Sequence, residues 1–272
     1  MSEAEAIALS QRGPVTIESL DRDFRDLGIE PGMSLLLHSS LSSMGWVCGG
    51  AASVILALEE VLRPFGTLVM PTHTGLSDPS GWENPPVPES WWQTIRDTMP
   101  AFDPDLTPSR NIGVIPELFR TQPGVLRSLH PQLSFAAWGE GSIAILENHS
   151  LDFGLGEESP LAKLYQREGF VLLLGVTHES NTSLHLGEIR ANYHNKRVLQ
   201  HAAPISVGNH RRWKQYQELD YDSSDFGSLG RDFRRDEQKL VRRGSVGYAE
   251  AELFPQRLCV DFAVRWIEKK RR

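Results

Sequence analysis

Residues 170–175 read FVLLLG, an unbroken apolar run closed by glycine and too short to form a helix of useful length. Such a run is stable when both of its faces are covered, as in a strand inside a layered sheet. Two upstream segments repeat the pattern: SLLLH at 34–38, and TLVM at 67–70, which Pro71 stops. Between them lie a polar stretch, 39–50, and an apolar helix predicted over 51–62. Strand, loop, helix, strand in that order predicts an α/β core with a parallel element.

The remaining punctuation is consistent with one such core. Ile17, Leu20, Phe24 and Leu27 have helical spacing and end at Gly28, predicting a helix over 16–27. Helix signals return at 113–120, and 134–138 suits a strand. Ser159-Pro160 is an N-cap with proline at the first helical position, and Gly169 is the matching stop. A helix beginning at Asn181 or Thr182 is expected to run through His185 and Glu188 toward Tyr193. Residues 215–237 read as polar and charged, and 255–270 as an amphipathic helix with its basic residues last, favourable for the helix dipole. From 75 to 110 the composition shifts to Pro, Trp, Asp and Ser without clear period, predicting an irregular surface excursion or lid. No repeat or linker divides the 272 residues, so a single domain over 1–272 is expected.

Composition narrows the class. A net charge of −7 opposes nucleic acid as the main partner, and no segment approaches the ~18 consecutive apolar residues of a membrane helix. The acidic start, MSEAEA, lacks the basic and apolar segments of a secretory signal. Two distant cysteines, Cys48 and Cys259, suggest neither a zinc site nor a disulfide framework. A soluble cytoplasmic protein without metal is expected, with its negative charge leaving room for a cationic substrate.

The chemistry concentrates after the 170–175 strand, where α/β proteins place ligands. His185 and Glu188 are three apart on one helix face, and a carboxylate beside imidazole fixes its tautomer for general-base work. A solvated surface pair has the same spacing. Gly49-Gly50 before an apolar helix suits phosphate binding by backbone amides, though a double glycine is often only a turn. Glu179, Asp220, Asp222 and Asp225 are candidate contacts for substrate ammonium groups, or a solvated loop. Cys48, just before a helix start, is the rival nucleophile for a covalent route.

The segment VLLLGVTHESNTSLHLGE resembles the signature of the aminoglycoside 3-N-acetyltransferases, the pattern NTxxHxxE. LLLHSSLSSMGWVCGGAASVILALEEVLRPFGTLVMPTHTG, RNIGVIPELFRTQPGVLRSLHPQLSFAAWG and ESPLAKLYQREG extend the likeness in order over most of residues 30–195, and DFGSLGRDF and GSVGYAEAEL carry it more loosely into the tail. The resemblance implies a single α/β/α layered unit with a central mixed sheet, of antibiotic N-acetyltransferase type. The pyrophosphate loop of the commoner acetyltransferase fold is missing; RGSVGYA, from Arg243, has one residue too many. The resemblance further implies direct acetyl transfer from acetyl-CoA to an aminoglycoside amine, the 3-N of the central aminocyclitol. It makes His185 the base and Glu188 its partner, with His38, Ser39 and Ser40 on the active-site floor. Gly49, Gly50, Arg127, Ser128 and Ser159 fall toward coenzyme A. Another amine acceptor, a non-catalytic CoA- or amine-binding protein, and a homodimer all stay open at this level.

Overall fold

The computed structural model describes residues 3–83, 85–208 and 210–271. Asn84, within the 75–110 excursion, lies outside them. The chain opens with helices α1 (Glu3–Leu9) and α2 (Ile17–Leu27), then β1 (Ser34–Ser39), α3 (Gly50–Leu62) and β2 (Thr67–Pro71). The excursion contains one helix, α4 (Glu89–Thr98), and is followed by α5 (Val114–Phe119), β3 (Leu126–Arg127), β4 (Phe135–Gly139) and α6 (Ser142–Leu146). Next come α7 (Pro160–Gln166), β5 (Phe170–Leu174), α8 (Ser183–Arg190), β6 (Val198–Val207) and β7 (His210–Leu219). The chain ends with α9 (Phe226–Asp236), β8 (Arg242–Val246), β9 (Ala249–Pro255) and α10 (Gln256–Lys270). Among the described residues no helix is long and apolar enough to cross a membrane.

Seven strands form one mixed sheet in the order β3-β4-β2-β1-β5-β9-β8. The three apolar runs occupy its centre: β1 pairs in parallel with β2 on one side and with β5 on the other. β4 joins β2 and β9 joins β5 antiparallel, closing the mixed sheet around that parallel core.

Strand side chains alternate between faces, and both faces are dry. Leu35, Leu37, Leu68, Met70, Leu172 and Leu174 belong to the core shared with α2 and α3. Leu36, Val69, Val171 and Leu173 belong to the core under α7, α8, α9 and α10. Helices therefore cover both sides, giving the α/β/α layering that the resemblance implied. It also explains why these strands read as continuous rather than alternating apolar runs.

β6 and β7 pair only with each other, in a two-stranded hairpin of ten residues per arm. Packed against it, the excursion gains backbone anchors: Phe102 N–H donates to Pro204 O, and Arg211 donates to the carbonyls of Arg96 and Met99.

α8 is held close to α10 by a missing side chain. A Cβ at Gly187 would stand 2.7 Å from Ala263 Cβ and 3.2 Å from Val260 O. Alanine normally stabilises a helix by roughly 1 kcal/mol over glycine, but here the added carbon forces the two helices apart. Gly187→Ala is therefore expected to lower the Tm by several degrees in thermal unfolding. Adding Ala263→Gly should restore most of the loss, and a stabilised single variant would refute the close-packing account.

Candidate active site

Three parallel strands end at one rim. β1 delivers His38 and Ser39, the chain leaving β2 at Pro71 delivers His73, and the chain leaving β5 turns through Gly175 into α8. Gly175 has a φ of 67°, and a Cβ there would lie 2.6 Å from Ser43 Cβ, so only glycine lets the loops after β1 and β5 meet. Ser43 Oγ donates to Gly175 O at 3.1 Å, and Ser40 N–H donates to Leu174 O at 2.9 Å. Asn181 Oδ1 accepts from Ser183 N–H at 3.1 Å and starts α8.

On α8, His185 Nδ1 stands 2.9 Å from Glu188 Oε2. The Glu188 carboxylate is fully buried while the His185 side chain is 18% exposed. The second carboxylate oxygen, Oε1, accepts from Arg271 Nη1 at 2.6 Å, from the Asp222 backbone N–H at 2.9 Å and from the Tyr193 hydroxyl at 3.4 Å. Burial raises the pKa of Glu188, but hydrogen bonds from His185, Asp222 and Arg271 outweigh it and hold the group below the usual carboxylate range. The His185 ring lies between the rings of Tyr221, 4.7 Å away, and Phe226, 4.8 Å away. Tyr221 is fixed in turn by its hydroxyl, which donates to the buried Glu218 at 2.6 Å.

Two connected cavities open at this rim. An inner one of about 190 Å³ touches His38, Ser39, Pro71, Ser180 and Thr182; an outer one of about 590 Å³ extends past Ser40, Trp46, Gly50 and Ile115. They share Ser39, Asn111, Ile112 and Ser180. His38 Nε2 and Ser39 Oγ on the inner cavity, and His73 Nε2, which lines neither cavity, are buried with no hydrogen-bond partner among the described residues. Native interiors seldom leave such groups unsatisfied, and the two on the inner cavity fit a place where a ligand completes them. Burial, then the neighbouring His178 and His185, pushes His38 down to about 3. Burial, then His185 and His38, does the same for His73.

The structure thus gathers His38, Ser39, Ser40 and Gly50 around these cavities, with Gly49 as the N-cap position of α3; His185 and Glu188 line neither cavity, and His185 stands near enough to His38 and His73 to act on their charge. Arg127, Ser128 and Ser159 line neither cavity. Arg127 donates to the carbonyls of Thr72, Pro104 and Thr107, and Ser128 Oγ accepts from Phe135 N–H. Ser159 caps α7 and donates to Gly156 O. Asp220 pairs with Arg197 and Asp225 with Arg271, whereas Glu179 is exposed and Asp222 Oδ1 accepts from Ser224 N–H. Cys48 is exposed and lines neither cavity. Sequence reasoning passed over Arg271, Tyr221 and His73. His73 lay inside the PTHTG stretch after a strand, a position that could have exposed it; Arg271 is one basic residue in the run EKKRR and carries no such signal.

The aminoglycoside 3-N-acetyltransferase family model matches residues 36–268. The chain belongs to that family. It is 48% identical over 256 residues to the SPbeta prophage-derived aminoglycoside N(3')-acetyltransferase-like protein YokD of Bacillus subtilis (strain 168), covering 93% of each chain. The crystal structure of YokD superposes with a TM-score of 0.94 over 98% of both chains. Aminoglycoside N(3)-acetyltransferase VII of Streptomyces paromomycinus is 37% identical, over 98% of this chain and 96% of its own. AAC-IIIb, solved as a binary complex with CoASH, is 30% identical, with a TM-score of 0.85 over 95% of this chain and 98% of its own. The protein is accordingly an acyltransferase of the aminoglycoside 3-N-acetyltransferase type.

The two neutral histidines have a thermodynamic signature. Folded, His38 and His73 stay unprotonated down to about pH 3, whereas their ordinary value is 6.5. Between those limits the unfolded chain binds more protons, so stability falls as pH drops through that window, by up to about 1.4 kcal/mol per pH unit for each histidine. Urea midpoints at pH 7 and pH 5 should show this loss, and His73→Asn should shrink it. An unchanged difference would show that His73 is not held neutral.

Proposed function

We propose that the protein transfers the acetyl group of acetyl-CoA directly to the 3-amine of the central aminocyclitol of an aminoglycoside, with His185 as general base. The observation that carries this reading is the His185–Glu188 pair, with His185 acting electrostatically on His38 and His73, whose buried Nε2 atoms have no hydrogen-bond partner among the described residues.

The co-substrate fits the cleft. Trp46, Val47, Ile112 and Ile115 give the outer cavity apolar walls suited to a pantetheine arm, and Ser39, Ser40 and Gly50 add polar groups along it. When bound, acetyl-CoA would supply the activated acyl carbon. Nδ1–H of His185 donates to Glu188, which leaves Nε2 as the acceptor that would take a proton from the neutral acceptor amine as its lone pair attacks the thioester carbon. The positive charge then formed on the ring is stabilised by Glu188, and the ring would return its proton to the coenzyme A sulfur as the carbon–sulfur bond breaks, leaving the N-acetyl product and free thiol. Ser39 and Thr182, both on the inner cavity, are the hydroxyls available to a developing oxyanion. Acetylation removes one positive charge from the polycation, the basis for antibiotic resistance. Use of a CoA thioester points to the cytoplasm as the site of action.

For recognition of the polycation, Glu179 and Asp222 form no ion pair among the described residues, unlike Asp220 and Asp225. Glu179→Gln is expected to raise the KM for an aminoglycoside several-fold, most at low salt, while the KM for acetyl-CoA stays unchanged. A variant whose KM matches wild type at both low and high salt would remove Glu179 from substrate recognition.

The base is tested by His185→Ala, expected to lower turnover by roughly 10²- to 10⁴-fold while CoA still binds in calorimetry. Thiol release from acetyl-CoA at near wild-type rate would overturn the assignment. Mass spectrometry of enzyme mixed with acetyl-CoA alone should find no acetyl group on Cys48, whose transient acetylation would replace direct transfer with a covalent route.

A further inference from the structure

The fully buried Glu188 carboxylate poses an electrostatic problem for a general base. A lone carboxylate 2.9 Å from His185 in a dry site would stabilise the protonated ring. The structure sets a cation on the far side of the carboxylate: Arg271, just past the end of α10, is 11% exposed and reaches Glu188 Oε1 at 2.6 Å.

We propose that Arg271 is a positioning residue that fixes Glu188 and offsets its charge, so that His185 is held in the tautomer that leaves Nε2 free to accept a proton. This rests on the reading of His185 as the base.

The geometry of the guanidinium supports that role. Nη1 donates to Glu188, Nε and Nη2 donate to the two oxygens of Asp225 at 2.8 and 2.6 Å, and Nη2 also donates to Asp222 O at 2.6 Å. A single planar group thus ties α8 and the loop before α9 to the end of α10, a fork that lysine cannot reproduce. Because Arg271 and Asp222 occupy Oε1, Glu188 is left with Oε2 for His185, which sets the ring tautomer. Asp225 restrains the cation from the other side, so the groups form a chain in the order His185, Glu188, Arg271, Asp225.

The charges and titratable groups that His185 meets are Glu188 on its own helix, Tyr221 and Asp222 in the loop before α9, and His38 and His73 from the ends of β1 and β2. Asp225 and Arg271 complete the set through Glu188. His38 and His73 stay neutral above about pH 3, so in the neutral range the changeable balance is set by Glu188, Arg271, Asp222 and Asp225.

The test is a histidine NMR titration of the full chain, with the His185 signals assigned by their loss in His185→Gln. Arg271→Gln should move the His185 midpoint up by about one pH unit or more. Arg271→Lys should return part of that shift, because it restores charge without the fork. Asp225→Asn, which frees the cation's charge, should move the midpoint down. In turnover, the acid limb of kcat/KM for Arg271→Gln should follow the NMR shift and activity should recover at alkaline pH, which a merely structural loss would not produce. An unmoved midpoint in Arg271→Gln, or a shift of the same sign in Arg271→Gln and Asp225→Asn, overturns the proposal. Should Arg271→Gln fail to fold, Asp225→Asn and Arg271→Lys carry the same decision: a downward shift in the first with a smaller upward shift in the second supports it, and any other pattern overturns it. The titration needs no acceptor. Absence of wild-type turnover therefore counts against the functional reading alone, and the role of Arg271 is still decided by the NMR midpoints.

Discussion

A carboxylate with no exposure to water is the constraint around which this active site is built. Burying an isolated carboxylate costs several kcal/mol, and it is tolerated only where charge and hydrogen bonds replace the lost solvent. Glu188 obtains them from three separated parts of the chain: His185 on its own helix, the backbone of Asp222, and Arg271 beyond α10. That convergence depends on ordinary packing. α10 lies close enough to α8 to deliver Arg271 because residue 187 has no side chain and Ala263 faces it. A glycine thus sets how well the proposed base is supported, and Arg271 beyond α10 joins the same hydrogen-bonded group as α8.

The sheet supplies the second half of the design. Because β2, β1 and β5 are adjacent and parallel, their carboxyl ends bring His73, His38 and α8 to one rim from well-separated stretches of the chain. An antiparallel neighbour would have sent the corresponding ends to opposite edges. The same layering that makes the strands dry also makes the rim dry. Burial holds His38 and His73 neutral rather than cationic, and His185, with a buried carboxylate against it, is the histidine we propose for proton transfer. Three histidines at one rim take different roles through environment alone.

Much of this was legible in the sequence where burial or local chemistry leaves a local trace. Doubly covered strands must be apolar throughout, so β1, β2 and β5 stood out, and α7 carried its own cap and stop in Ser159, Pro160 and Gly169. The helix bearing His185 and Glu188 followed from its place after β5, although it ends at Arg190 rather than near Tyr193 because Ala191 turns extended. The β6–β7 hairpin left no such trace. It stands off the main sheet, half of the residues in each arm are exposed, and Pro204 within VLQHAAPISV weakens any strand reading. β8 was equally obscure, since four of its five residues are exposed at the sheet edge. Arg271 was illegible for a different reason. Its partners are defined only by tertiary packing, and an arginine in a run of basic residues looks the same whether solvated or ion-paired.

The net charge of −7 also changes meaning once the acidic residues are placed. Read along the chain, Asp220, Asp222 and Asp225 form an acidic loop suited to attract a polycation. In the fold, Asp225 is bound to Arg271, Asp220 to Arg197, and Glu218 lies buried against Tyr221. Part of the apparent acidic surface is therefore internal scaffolding for His185, and its field is largely cancelled before it reaches solvent. A polycationic acceptor drawn to this rim would feel few uncompensated carboxylates rather than a diffuse negative face. Selection among its amines then depends on where those few groups stand relative to His185. Family membership fixes the frame that holds His185, while the acceptor is chosen by residues that the frame leaves free to vary.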